Sequence, residues 1–195
     1  KDEINFKLGY SNYMINDYDK ASNAFYAMKD GSSKYASAAQ YYYAHIAYVN
    51  GNYETALKAF LKLKDSEVFA PVAPYYITQI YYKQGKYDEV LKYAPGVIDT
   101  ATTKNALEIS RMVAESYYRK EKYKEALPYL LEYERNSSSS GRNDIYAIAF
   151  SYYHIGDYEK ATSYFQKVIS GDDSLTQNAY YHLADCFLHT SNKRS

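Results

Sequence analysis

Tryptophan is absent from the 195 residues, cysteine occurs once, at Cys186, and proline four times. A lone cysteine excludes an internal disulfide framework and any multi-cysteine metal site. Charge of one sign is also missing. The 23 basic side chains are matched by 23 acidic ones, which removes the net basic face that a phosphate backbone needs, so nucleic acid is not an expected partner. No apolar run approaches the ~20 residues that span a bilayer, and direct membrane insertion is not expected. Glycine numbers eight, with no phosphate-cradling loop or nucleophile elbow among them. The chain opens at Lys1 with neither a methionine nor a charged-then-apolar leader, which reads as a processed or excised segment.

What is abundant is tyrosine, at 28 positions, and it is periodic. Tyr18, Tyr53, Tyr87, Tyr123 and Tyr158 stand 35, 34, 36 and 35 residues apart. Three positions after each comes a small residue (Ala21, Ala56, Val90, Ala126, Ala161), and four further on an apolar one (Phe25, Phe60, Ala94, Leu130, Phe165). Ten positions before each tyrosine lies an apolar residue (Leu8, Tyr43, Ile77, Val113, Ile148), followed directly by a small one (Gly9, Ala44, Thr78, Ala114, Ala149). A sixth copy begins with Leu183, Ala184 and Phe187 and lacks its second half. Self-similarity at this period signals a solenoid.

Each unit reads as two helices. In 144–155, Ile145, Ile148, Ala149 and Tyr152 fall on one helical stripe, and a second amphipathic stretch covers 158–169. Gly51, Gly85 and Gly156 share the slot between the two, where a helix end favours a left-handed residue; Asn16 and Glu121 fill it in the first and fourth copies. The paired small residues let antiparallel helices approach closely. Polar connectors at 30–33, 137–141 and 171–174 supply turns and N-caps. Pro95 and Gly96 should cut the second helix of repeat three to 88–94 and loosen the link through Asp99 and Thr100. Pro128 is expected early in its helix, where its missing amide costs little, and Pro71 and Pro74 at the start of another.

This pattern resembles the tetratricopeptide repeat, from about Asn5 to Leu188, though the early tryptophan and the late proline often seen in that unit are absent. The resemblance implies an all-α fold: a right-handed α-solenoid of antiparallel helix pairs, as one domain over 1–195. Its repeats would lie near 2–35, 37–70, 71–104, 107–140 and 142–175, with a partial copy at 177–195. The paired tyrosines and G-x-Y turns also look like the long arrays of exported bacterial proteins, which points to the periplasm or cell envelope, with the cytoplasm as the alternative.

In the resembled family the first helix of each pair lines a concave face. Carried onto this chain, the implied lining is Phe6, Tyr10 and Tyr13, then Tyr41, His45 and Tyr48, then Tyr75, Gln79 and Tyr82. Repeat four supplies Arg111, Glu115, Tyr118 and Arg119, and repeat five Tyr146, Phe150 and Tyr153, with Tyr181, Asp185 and Leu188 in the partial copy. Tyr13, Tyr48, Tyr82, Tyr118 and Tyr153 share one register and form a ladder. Tyrosine suits a partner-binding surface because it offers large apolar area, a polar tip and few rotors. The competing reading is that these rings pack on one another and close the groove. Tyr18 and its four equivalents read as structural. Glu108, Arg111, Glu115 and Arg119 read first as a self-neutralised network, and second as an anchor for a ligand carboxylate. The Lys and Asn clamp with which some family members hold chaperone C-termini is replaced here by Phe6, Tyr10, Tyr41, His45, Tyr75 and Gln79.

Four histidines, His45, His154, His182 and His189, form no HExxH-type pair. His182, Cys186 and His189 share a helix face and could begin a zinc site, but a helical cysteine is more often a small buried hydrophobe. No catalytic residue, cofactor or metal is expected. The sequence reads as a non-catalytic scaffold for a protein or peptide partner. A spacer or self-associating segment, forming a homodimer through exposed solenoid ends, is the alternative. Glycan stacking is disfavoured without tryptophan.

Overall fold

Residues 1–138 and 140–192 are described by a computed structural model of the chain. Residue 139, inside the expected 137–141 connector, and residues 193–195, at the end of the expected sixth copy, lie outside the described residues. Eleven α-helices and two short 3-10 turns make up the regular structure there, with no strand among the described residues. They fall into two compact units. One joins Lys1–Gly85 with Val97–Ala106, and the other joins Lys86–Gly96 with the described residues from Leu107 onward.

In the first unit α1 (Asp2–Met14) packs on α2 (Tyr18–Tyr26), and α3 (Ala36–Val49) on α4 (Tyr53–Leu61). Contacts of α2 with α3, and of α4 with α5 (Ala73–Lys83), join successive pairs. The second unit holds α6 (Tyr87–Tyr93), most of α7 (Thr103–Arg119), α8 (Tyr123–Asn136), α9 (Arg142–His154), α10 (Tyr158–Phe165) and α11 (Ser174–Asn192). The division passes through the third repeat, beside Pro95. There α6 stops after seven residues and gives way to 3-10 turns at Ala94–Gly96 and Ile98–Thr100, close to the shortened helix expected from the proline.

The close-approach positions behave as their size requires. Ala21, Ala44, Ala56, Thr78, Val90, Ala114, Ala126, Ala149 and Ala161 have no solvent exposure. A Cβ added to Gly9 would stand 3.0 Å from Phe25 Cε1 and 3.1 Å from Ala24 Cβ. Phe25, Phe60 and Phe165 are fully buried behind them. The exceptions lie in the first and last helices of the described residues, where Leu8 is 59% exposed and Ala184 is exposed.

All five inter-helix slots adopt positive φ: Asn16 60°, Gly51 76°, Gly85 68°, Glu121 57° and Gly156 81°. Around Gly51, its amide donates to the Tyr48 carbonyl at 3.1 Å and the Asn52 amide to Ala47 at 2.8 Å, the paired bonds that close a helix with a left-handed residue. Glu121 makes the same pair through Tyr118 and Tyr117, both at 2.9 Å. The turn is therefore imposed by its hydrogen bonds, even on a residue that resists it. A left-handed non-glycine residue costs ~1–2 kcal/mol, of which glycine's extra unfolded-state freedom returns roughly 0.5–1. Glu121→Gly is expected to stabilise the protein by about 0.5–1 kcal/mol and to raise the thermal midpoint by ~1–4 °C.

One expectation needs correction. Pro128 is not at the start of α8 but its sixth residue, inside the helix, where an amide would normally bond back to the preceding turn. It is exposed, and the helix continues past it to Asn136.

A tie that the sequence did not announce fixes the connector before α11. Arg142, at the start of α9, reaches Asp173 with Nη1 at 2.6 Å, the Val168 carbonyl with Nη2 at 2.7 Å, and Thr176 Oγ1 at 2.7 Å. Asp173 Oδ1 also accepts the Thr176 amide at 2.9 Å, capping α11. Arg142, followed by this cap, holds the Asp173 carboxyl far below the usual carboxylate range.

Candidate functional site

In the first unit the expected lining residues from Phe6 to Tyr75, joined through Tyr42 and Tyr76, form one continuous array of rings. Tyr10 lies 6.4 Å from Tyr13 and 5.4 Å from Tyr42; Tyr42 lies 5.4 Å from Tyr41, and Tyr41 lies 6.2 Å from Tyr76. Tyr76 is 5.3 Å from Tyr75 and 5.4 Å from Tyr48. His45 sits between the ladder residues, 5.7 Å from Tyr13 and 6.4 Å from Tyr48. Phe6 joins at the outer end, stacked 6.4 Å from Tyr10. Tyr10 is 39% exposed, while Tyr13, Tyr41, His45, Tyr48, Tyr75, Gln79 and Tyr82 are half-buried. The rings thus pack on one another, as the competing reading held, and remain partly exposed to solvent.

The polar tips are used between repeats. Tyr13 Oη and His45 Nδ1 are hydrogen-bonded at 3.0 Å. Tyr48 donates its hydroxyl to Gln79 Oε1, and Gln79 Nε2 donates to Tyr75 Oη at 2.9 Å. The Tyr13 and Tyr48 hydroxyls therefore each meet a polar residue about one repeat further along. Burial pushes the Tyr48 hydroxyl up to about 12, and burial together with a hydrogen bond to Tyr76 pushes Tyr41 well above the tyrosine range. Tyr48 and Tyr41 therefore stay uncharged at neutral pH. Lys83 Nζ lies 5.6 Å from the Tyr48 ring centroid.

The second unit repeats the plan with more charge. Tyr118 lies 5.9 Å from Phe150, Tyr146 stacks 5.8 Å from Phe150, and Phe150 lies 6.3 Å from Tyr153. Tyr153 donates its hydroxyl to Asp185 Oδ2 at 2.6 Å, and that bond, ahead of burial, raises its pKa to about 12. Arg111 pairs with Glu108 at 3.2 Å and Arg119 with Glu115 at 2.8 Å, so both guanidiniums are engaged on their own helix as the first reading expected. Cys186 is buried, with burial raising its thiol pKa. No group of three or more metal-ligating side chains comes together among the described residues.

The turn tyrosines serve as backing. Tyr18, Tyr53, Tyr123 and Tyr158 lie 5.8, 5.9, 5.5 and 5.7 Å from the ladder tyrosine of their own repeat. Sequence reasoning missed the register just before the hallmark apolar residue. Tyr42 stacks on Phe25 at 5.2 Å, Tyr76 on Phe60 at 4.6 Å and 1°, and His182 on Phe165 at 5.6 Å and 15°. Each caps the preceding second helix and floors the ring array. The doubled aromatics Tyr41-Tyr42, Tyr75-Tyr76 and Tyr181-His182 were the available signal.

Burial lowers the pKa of His45 and His154, and burial followed by His154 lowers that of His182. A folded-state pKa below the unfolded value of ~6.5 means that the unfolded chain binds more protons, so this stability is intact above pH ~6.5 and is lost as pH falls through the lowered values. The thermal midpoint is expected to hold from pH 8 to 7 and to decline from about 6.5 downward, with His45→Gln flattening part of the decline. Asp30, held at about 2 by Lys29 and Lys62, and Asp173 act only at far lower pH.

Helix pairs that recur every 34 to 36 residues, a left-handed slot between the two helices and small residues at the crossing define a helix-pair repeat protein. The tetratricopeptide repeat family matches over residues 6–71 and 145–170, and the chain is a tetratricopeptide repeat protein. Among solved structures it is similar to YrrB, a TPR protein with an unusual peptide-binding site, at 16% identity and a TM-score of 0.70, covering 91% of this chain and 90% of that one. The MamA protein follows at 12% identity and a TM-score of 0.68, with 86% and 90% covered. A tetratricopeptide repeat protein from Parabacteroides merdae gives 16% and 0.67, with 97% and 73% covered. At these identities the likeness is one of fold. No curated protein sequence matches the chain.

Proposed function

We propose that the protein is a non-catalytic scaffold that binds a protein or peptide partner through the aromatic faces of its first helices. The observation that carries this is the unbroken ring array from Tyr10 to Tyr75, which recurs with the repeat register. Aromatic side chains with polar tips are the residues most often found at the centre of binding surfaces. The fold is shared with YrrB, for which a peptide-binding site is described. The test is capture of a partner from a native extract by wild type and by Tyr48→Ala with Tyr82→Ala. The double variant is expected to keep its helical circular dichroism and lose capture; undiminished capture would remove the ring face from consideration.

A second reading, self-association, is favoured by exposed apolar side chains on the outermost helices. Ile4, Leu8 and Met14 stand out from α1, and Tyr181 and Leu188 from α11. Light scattering over a concentration series decides it, since a constant monomer mass rules the reading out.

A further inference from the structure

Gln40, on α3, is buried, and its amide is only half used. Nε2 donates to the Ala59 carbonyl at 3.0 Å, which fixes the orientation of the amide because a carbonyl only accepts. Oε1 is then left without a hydrogen-bond donor among the described residues. A buried acceptor in that state is costly and demands a physical reason.

Gln40 lies against a cleft of about 170 Å³ formed with α2 and α4 and lined also by Tyr26, Tyr43, Lys29, Lys58 and Lys62. The repeat pattern alone does not ask for these side chains. Ten residues before the turn tyrosine, repeats three, four and five place Ile77, Val113 and Ile148, all fully buried, whereas repeat two places the half-buried Tyr43. The Tyr43 ring lies 5.6 Å from Tyr26, and Lys29 Nζ stands 4.7 Å from the Tyr26 centroid and 5.5 Å from that of Tyr43. Lys29 and Lys62 share Asp30, the latter at 2.8 Å. Lys58, in the last turn of α4, has no ion-pair partner among the described residues. Lys58 and Lys62 are four residues apart, so they stand on one face. Three ammonium groups, the Asp30 carboxylate and two helix C-termini of about half a negative charge each leave about one positive charge at the cleft.

We propose that this cleft binds a small hydroxy acid, its single carboxylate met by Lys58 and Lys62 and a hydroxyl donating to Gln40 Oε1. The volume equals about six water molecules at ~30 Å³ each, room for a compact molecule of a few carbons. A phosphate ester would bring more negative charge than the cleft offsets. An uncharged polyol would leave the lysines without a counter-charge, and a plain carboxylate would leave Oε1 unmet. The site lies apart from the ring face and stands or falls without it.

Glycerate, propionate and glycerol share one three-carbon skeleton and separate the two requirements. Each is titrated into the 195-residue protein at constant ionic strength, and the backbone amide shifts of 55–62 are followed by nuclear magnetic resonance. Glycerate is expected to saturate, with propionate and glycerol at least ~10-fold weaker, since one lacks the donor for a buried acceptor and the other the charge. Lys58→Gln is expected to weaken glycerate at least ~5-fold, and Lys58→Arg, which keeps the charge, by less than ~3-fold. Gln40→Met keeps the length of the side chain and should bring glycerate down to the level of propionate. Circular dichroism confirms that the variants are folded; should Gln40→Met unfold, the propionate comparison and the Lys58 pair still decide. Equal binding of glycerate and propionate would mean that water already satisfies Oε1, and overturns the inference. So does the absence of a saturable shift with glycerate, or a Lys58→Gln variant that binds it as wild type does. Glycerol 3-phosphate bound more tightly than glycerate overturns the assignment of a carboxylate.

Discussion

Replacing Phe60 by alanine is expected to cost about 3–5 kcal/mol, the range for deleting a fully buried aromatic ring. Phe60 has no exposed surface, stacks face to face with Tyr76 at 4.6 Å, and meets the edge of Tyr41 at 6.2 Å. The upper part of the range is favoured because Tyr76 cannot follow a vanished neighbour: its ring is held by Tyr41, His45, Tyr48 and Tyr75. The void would therefore stay open and the floor of the ring face would lose its support. Urea unfolding followed by circular dichroism measures the change. Phe60→Leu serves as the milder comparison, at under about 1.5 kcal/mol. A loss below 1 kcal/mol for the alanine variant would mean that the stack collapses to fill the gap and does not hold the face in place.

The second large effect has the opposite sign. Pro128→Ala should stabilise by about 1–3 kcal/mol, because proline within a helix is ~3 kcal/mol poorer than alanine and its restriction of the unfolded chain returns only ~0.4–1. Pro128 is exposed on α8, so alanine meets no packing obstacle and restores a backbone donor to the turn before it. The thermal midpoint is expected to rise by several degrees, and no change would imply that the helix already accommodates the ring without loss.

Period, helix pairing and the buried small residues were legible because each repeat must solve the same problem of two helices crossing closely. The left-handed slot was legible for the same reason, and Glu121 shows that the turn outranks the residue within it. The site was legible only in outline. The ladder tyrosines follow from register, but the partners of their hydroxyls, His45, Gln79 and Asp185, depend on the offset between repeats, which no pattern inside one repeat encodes. The flooring role of Tyr42, Tyr76 and His182 was not legible because they sit on the border between the core stripe and the inner face, where a period of 3.6 assigns neither side. The Arg142–Asp173 tie joins residues 31 apart in sequence with no local signature at all.

The hydroxyl bonds that run from one repeat to the next are not all alike. Tyr13, Tyr48 and Tyr153 each fasten to a polar neighbour, whereas Tyr118 meets the ring of Phe150. A joint closed by apolar contact weakens as water cools, while one closed by a directional bond does not share that dependence. Chilling should thus loosen the joint between α7 and α9 ahead of the others, giving an array of near-identical parts a preferred place to come undone.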